Sequence, residues 1–117
     1  MKCMYRLVSG LALLAACAPA SAAEVTPEVH DRAVAVLREA LRTETGWVRV
    51  HAAEALLRNG LPEGVAGAYL PAVENSPPKH RIGVWRVLAQ AQNNAEARER
   101  YVQRIRGAFL DLDGPDR

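Results

Sequence analysis

The side chains able to do chemistry are few and stand apart. His30, His51 and His80 fall on or beside three different helical stretches. His51-Ala-Ala-Glu54 lacks the second histidine that a single helix needs to hold zinc. Ser21 and Ser76 are the serines beyond the first twenty residues. Ser76 precedes Pro77-Pro78 with no G-x-S-x-G around it, so it reads as a turn residue and not a nucleophile. Asp111, Asp113 and Asp116 open like a calcium loop, but an EF-hand requires glycine at its sixth position and glutamate at its twelfth. Here Gly114 comes fourth. Gly60, Gly64 and Gly67 are not followed by a Gly-Lys pair, and Gly64 and Gly67 fall in a helical stripe, so they make no phosphate loop. These patterns predict no catalytic residue, no cofactor and no metal site. The chain reads as a non-enzyme.

The two cysteines are Cys3 and Cys17. Lys2 and Arg6 precede an apolar run from Leu7 to Ala16, too short for a bilayer-spanning helix of about 20 residues. A signal-peptide core has this length and these flanks, and residues 1–22 are assigned to it. The run ends in Leu14-Ala-Ala-Cys17, which resembles the lipobox of bacterial lipoproteins. There the cysteine thiol takes the lipid and becomes the new N-terminus, which assigns lipidation to Cys17. Ala18 is not the aspartate that would retain such a protein at the inner membrane, so the expected address is the outer membrane. Ala20-Ser21-Ala22 offers the alternative of ordinary cleavage and a soluble periplasmic or secreted chain. Either way no thiol remains for a disulfide or for nucleophilic catalysis.

Removing Lys2 and Arg6 leaves basic and acidic residues equal in number, so the net charge of +2 belongs to the export signal. A balanced chain has no broad electrostatic reason to bind nucleic acid. The composition is apolar but poor in aromatics, and much of it is Ala, Leu and Val, which favours closely packed helices.

The elements that must position these residues follow from periodicity. Thr26-Pro27-Glu28 is an N-cap, a proline at the first helical position and an early acid. Val29, Ala33, Val36, Leu37, Ala40 and Leu41 then recur at the helical period. Helices are expected at 27–43, 47–59, 62–74, 79–91 and 95–110, with short connections built of Gly, Asn, Ser and Pro. Arg49-Val-His-Ala-Ala-Glu-Ala-Leu-Leu57 is matched by Arg81-Ile-Gly-Val-Trp-Arg-Val-Leu-Ala89 thirty-two residues later. Val65, Tyr69, Leu70 and Val73 are matched likewise by Ala97, Tyr101, Val102 and Ile105. A helix-pair period of this length marks an all-α chain and a short α-solenoid of antiparallel pairs, about two and a half repeats over residues 23–117.

W-V-R-V-H-A-A-E-A-L-L-R-N-G followed by L-P-E-G-V resembles a HEAT repeat of the short type also found in phycobiliprotein lyases. The resemblance covers roughly residues 27–110 and implies a scaffold that binds other molecules. A bilin lyase would act in the cytoplasm, against the export signal, and a HEAT-like DNA glycosylase would need a basic groove. The resemblance also implies that Arg49 and its equivalent Arg81 tie neighbouring repeats together. Both stand on the apolar side of their helices, where a guanidinium needs a carboxylate or helix C-terminal carbonyls. Glu44 and Glu74 are near enough in sequence to serve.

With Ala53 centred on the buried face, His51, Glu54 and Arg58 fall on the far side. Gly83, Arg86 and Gln90 are their equivalents one repeat later. His51, Glu54, Arg58, Arg86 and Gln90 are therefore the expected solvent-facing interaction surface, with a pairing of Glu54 and Arg86 across the repeats. The arginines of the last helix read as a solvated face. The function expected is that of an exported, lipid-anchored scaffold for a protein partner. The alternative is a non-catalytic accessory module of an exported glycan- or solute-processing enzyme or transporter. Asp111-Leu-Asp-Gly-Pro-Asp-Arg117 resembles the lead-in to another helix, so the repeat domain is expected to be incomplete there, with self-association through the open end as one outcome.

Overall fold

The computed structural model describes residues 24–115, so the expected signal segment, Cys17 and Arg117 lie outside it. Five helices pack against one another: α1 (Pro27–Thr43), α2 (Gly46–Arg58), α3 (Val65–Tyr69), α4 (Pro78–Ala91) and α5 (Ala95–Leu110). A 3₁₀ turn, Leu70–Asn75, continues α3. Among the described residues there is no strand.

Local chemistry sets the boundaries. Thr26 Oγ1 accepts from the Val29 amide at 3.4 Å, and Pro27 opens α1. Asn94 Oδ1 accepts from the Glu96 and Ala97 amides at 2.8 and 3.2 Å and starts α5. At the end of α2 the Leu61 amide donates to the Leu56 carbonyl and the Gly60 amide to that of Leu57. This is a Schellman motif, with Gly60 at φ +70° in the left-handed position that favours glycine.

α3 departs from expectation. It begins at Val65, not residue 62, because Gly64 ahead of it is left-handed at φ +77° and stands outside the stripe assigned to it. Pro71 has no amide to donate, and the chain tightens to a 3₁₀ turn around it. Val65 and Tyr69 are buried as the stripe requires, whereas Leu70 is exposed.

The core lies where α2 and α4 meet. Val50, Ala53 and Leu56 of α2 and Val84, Val87 and Leu88 of α4 are buried together with Leu41, Val65 and Tyr69. α1 packs on α2, α5 packs on α4, and α3 contacts α1, α2 and α4. α1 uses a narrower stripe than expected: Val34, Leu37 and Leu41 face the core, while Val29 and Val36 are exposed. The larger stripe would suit a helix covered on two sides, and no described helix covers the outer side of α1. Trp85 fills the position equivalent to Ala53, and both are buried. Gly83 is required by close approach: a Cβ there would come within 2.8 Å of the Trp47 ring. At the other end of the chain Phe109, Leu110 and Leu112 are exposed.

Candidate functional site: an arginine-rimmed groove

Glu54 lies at the seam between the two equivalent helices. It is the buried charged residue of the described chain, only 4% exposed. This corrects its placement on the solvent face. A helical wheel drawn for one neighbour puts it on the far side, but α2 packs against α1, α3 and α4, and its buried arc is correspondingly wide. Ala52, on the opposite flank of Ala53, is buried for the same reason.

The carboxylate is matched from both helices. Arg86 Nε, thirty-two residues on, donates to Oε1 at 2.5 Å. His51 Nδ1 lies 3.3 Å from Oε2, and an Arg58 nitrogen lies 3.9 Å from the same oxygen. Burial pushes the Glu54 carboxyl upward, but the hydrogen bonds and charges of Arg86 and His51 outweigh it, and the group ends below its ordinary value. The expected pairing of Glu54 with Arg86 is present, with the carboxylate inside and the guanidinium half exposed.

Arg49 answers the burial problem with carbonyls. Nε donates to the Leu41 carbonyl at 2.9 Å and Nη2 to that of Ala68 at 2.8 Å, with the guanidinium over the Tyr69 ring. It thus ties the last turn of α1 to α3. The proposed carboxylate partners go elsewhere or stay outside: Glu74 is bound by Arg104 at 2.7 Å, and Glu44 is exposed. Arg81 Nε donates to the Ser76 carbonyl at 3.2 Å, closing the turn before its own helix.

The C-terminal ends of α2 and α4 border a groove of about 720 Å³ whose far wall is α5. Leu57, Ala89, Val102 and Ile105 make its apolar floor. Arg58, Arg86, Gln90 and Arg98 stand around it, and no carboxylate lines it. Three of the five expected surface residues, Arg58, Arg86 and Gln90, therefore meet. Glu54 sits beneath them as a counter-ion, and His51 stacks on Trp47 away from the groove. Sequence reasoning missed Arg98, Val102 and Ile105. Their signal was the helical spacing of α5, but which side of α5 faces α2 and α4 depends on tertiary packing. Of the other α5 arginines, Arg104 is tied to Glu74 and Arg106 to Glu99.

Among the described residues no group of three or more His, Cys, Asp or Glu side chains could hold a metal ion. No described helix is long and apolar enough to cross a membrane. Comparison with family models, with curated proteins and with solved structures finds no match to this chain.

Proposed function

We propose that the chain is an exported, lipid-anchored HEAT-type scaffold, held by Cys17 at the outer membrane, that binds a protein partner through the groove at the ends of α2, α4 and α5. The observation that carries the binding reading is the union of an apolar floor with Arg58, Arg86 and Arg98 and no acid in the lining. Such a surface complements an acidic, amphipathic segment: apolar side chains for the floor and carboxylates for the guanidinium groups. The repeat reading is supported by the packing of α2 against α4 and by the contact between Glu54 and Arg86, thirty-two positions apart. The anchor is supported by Leu14-Ala-Ala-Cys17 after the apolar run.

The test is capture of envelope proteins by the immobilised chain, with the bound segment mapped by hydrogen exchange. The expected segment is acidic and amphipathic, and capture is lost in an Arg58→Glu, Arg98→Glu double variant that still melts cooperatively, its stability lowered by no more than about 1 kcal/mol at each exposed position. A basic bound segment, or capture indifferent to the double variant, refutes the groove.

A further inference from the structure

The apolar face of the groove runs on along α5 past its lining residues. Arg98, Val102, Ile105 and Phe109 follow one another at steps of four, three and four residues, so they stand in one row on the helix. Arg98, Val102 and Ile105 line the groove, the last two half-buried. Phe109, next in the row, is 60% exposed, and Leu112 beyond it is exposed as well. Among the described elements α5 packs on α4 alone, so none covers this row. A run of large apolar side chains left open next to a groove marks an interaction surface.

The row is charged oppositely at its two ends. At one end Arg98 donates to the Gln92 carbonyl at 3.1 Å and has no carboxylate partner among the described residues. Arg58 and Arg86 stand with it around the groove, and the buried Glu54 answers only one of the three positive charges. At the other end α5 gives way to a turn, in which the Gly114 amide donates back to the Asp111 carbonyl at 3.2 Å. That turn carries Asp111 and Asp113, both exposed and neither in an ion pair among the described residues. No cation stands in the last turn of α5, so these acids meet the negative end of the helix dipole unanswered. Arg104 and Arg106 are already tied to Glu74 and Glu99. An excess of two positive charges at the groove thus corresponds to two unanswered carboxylates after α5.

We infer that a second copy of this chain occupies the groove, with the two α5 helices antiparallel. A row that is basic at one end, apolar along its middle and acidic at the other complements itself when turned end for end. A two-fold interface demands that self-complementarity. An axis beside Ile105 sets Phe109 of each copy on Val102 of the other and Asp113 against Arg98, with Arg58 and Arg86 left to receive Asp111. This occupant rests on the groove being a binding surface, and it gives the acidic, amphipathic segment an identity: Phe109-Leu-Asp-Leu-Asp113 of the second copy.

Sedimentation equilibrium of the full chain in density-matched detergent reads the protein mass directly. A concentration-dependent equilibrium between monomer and dimer is expected. Phe109→Ser, Arg98→Glu and Asp113→Arg should each weaken it at least about tenfold, because a two-fold interface meets every change twice. All three positions are exposed in the single chain, so each variant keeps its cooperative melt. The Arg98→Glu, Asp113→Arg double variant exchanges the charges and leaves them opposite, so it associates more tightly than either single variant. A chain that is monomeric at every concentration overturns the inference. So does a dimer indifferent to the single variants, or a double variant no tighter than they are. Capture of envelope proteins separates this inference from the groove reading. A monomer that still captures a partner, and loses it on Arg58→Glu with Arg98→Glu, rules out the second copy and leaves the groove standing. A monomer that captures nothing removes both.

Discussion

Glu54 and Arg86 carry different burdens although they form one pair. The carboxylate is inside and the guanidinium half outside, so removing the arginine leaves a buried charge that only His51 and the more distant Arg58 can answer. Arg86→Met is expected to cost about 2–3 kcal/mol, below the 3–5 kcal/mol typical of a fully buried pair because Arg86 is half exposed. Arg58→Glu, at an exposed position, should cost no more than about 1 kcal/mol. Chemical denaturation of both variants makes the comparison. The pair also sets an acid limb. Because the folded-state value of Glu54 lies below its ordinary 4.5, its contribution is fully present above that pH. It is lost as pH falls through the folded value. A Glu54→Gln variant should therefore lose stability less steeply than the parent below about pH 4.5, as followed by melting temperature against pH.

Helix starts and stops were legible where side chains or glycine dictate them. Thr26-Pro27-Glu28, Asn59-Gly60 and Asn94 each act as the residue types imply. Pro62-Glu63 carried the same kind of signal for α3 and misled, because Gly64 adopts the left-handed conformation and Pro71 tightens the chain soon afterwards. Facing was legible for Ala53, Leu56, Val87 and Leu88, the centre of each copy, and failed for Glu54 at the edge of the first copy and for Val36 in the stripe of α1. An edge position is decided by how many neighbours a helix has, which one helix's periodicity does not contain. The Schellman turn after α2 gives a clean element-level prediction. A Cβ at Gly60 would meet nothing within 4 Å, so the penalty of Gly60→Ala is backbone conformation alone. It should cost about 1–2 kcal/mol, and Gly60→Asn should cost less, since Asn tolerates the left-handed region. Thermal melts of the two variants against the parent test the order.

Across the molecule, the parallel packing of α2 and α4 gathers like ends with like. Their C-terminal ends share the arginine groove, and their N-terminal ends share a cavity beside Tyr69. Half of the groove was legible in the repeated positions of Arg58, Arg86 and Gln90, and the α5 wall was not, since that wall belongs to the packing of a third helix. The exposed Val36 of α1 lies on a different surface and supplies the control position. The most direct measurement places a photo-crosslinking residue at Gln90 or at Val36 in living cells and reads the adducts by mass spectrometry. Binding in the groove predicts a discrete protein adduct from position 90, abolished by Arg58→Glu with Arg98→Glu and absent from position 36. Adducts from position 36 but not 90, or a position-90 adduct that survives both charge reversals, would contradict it.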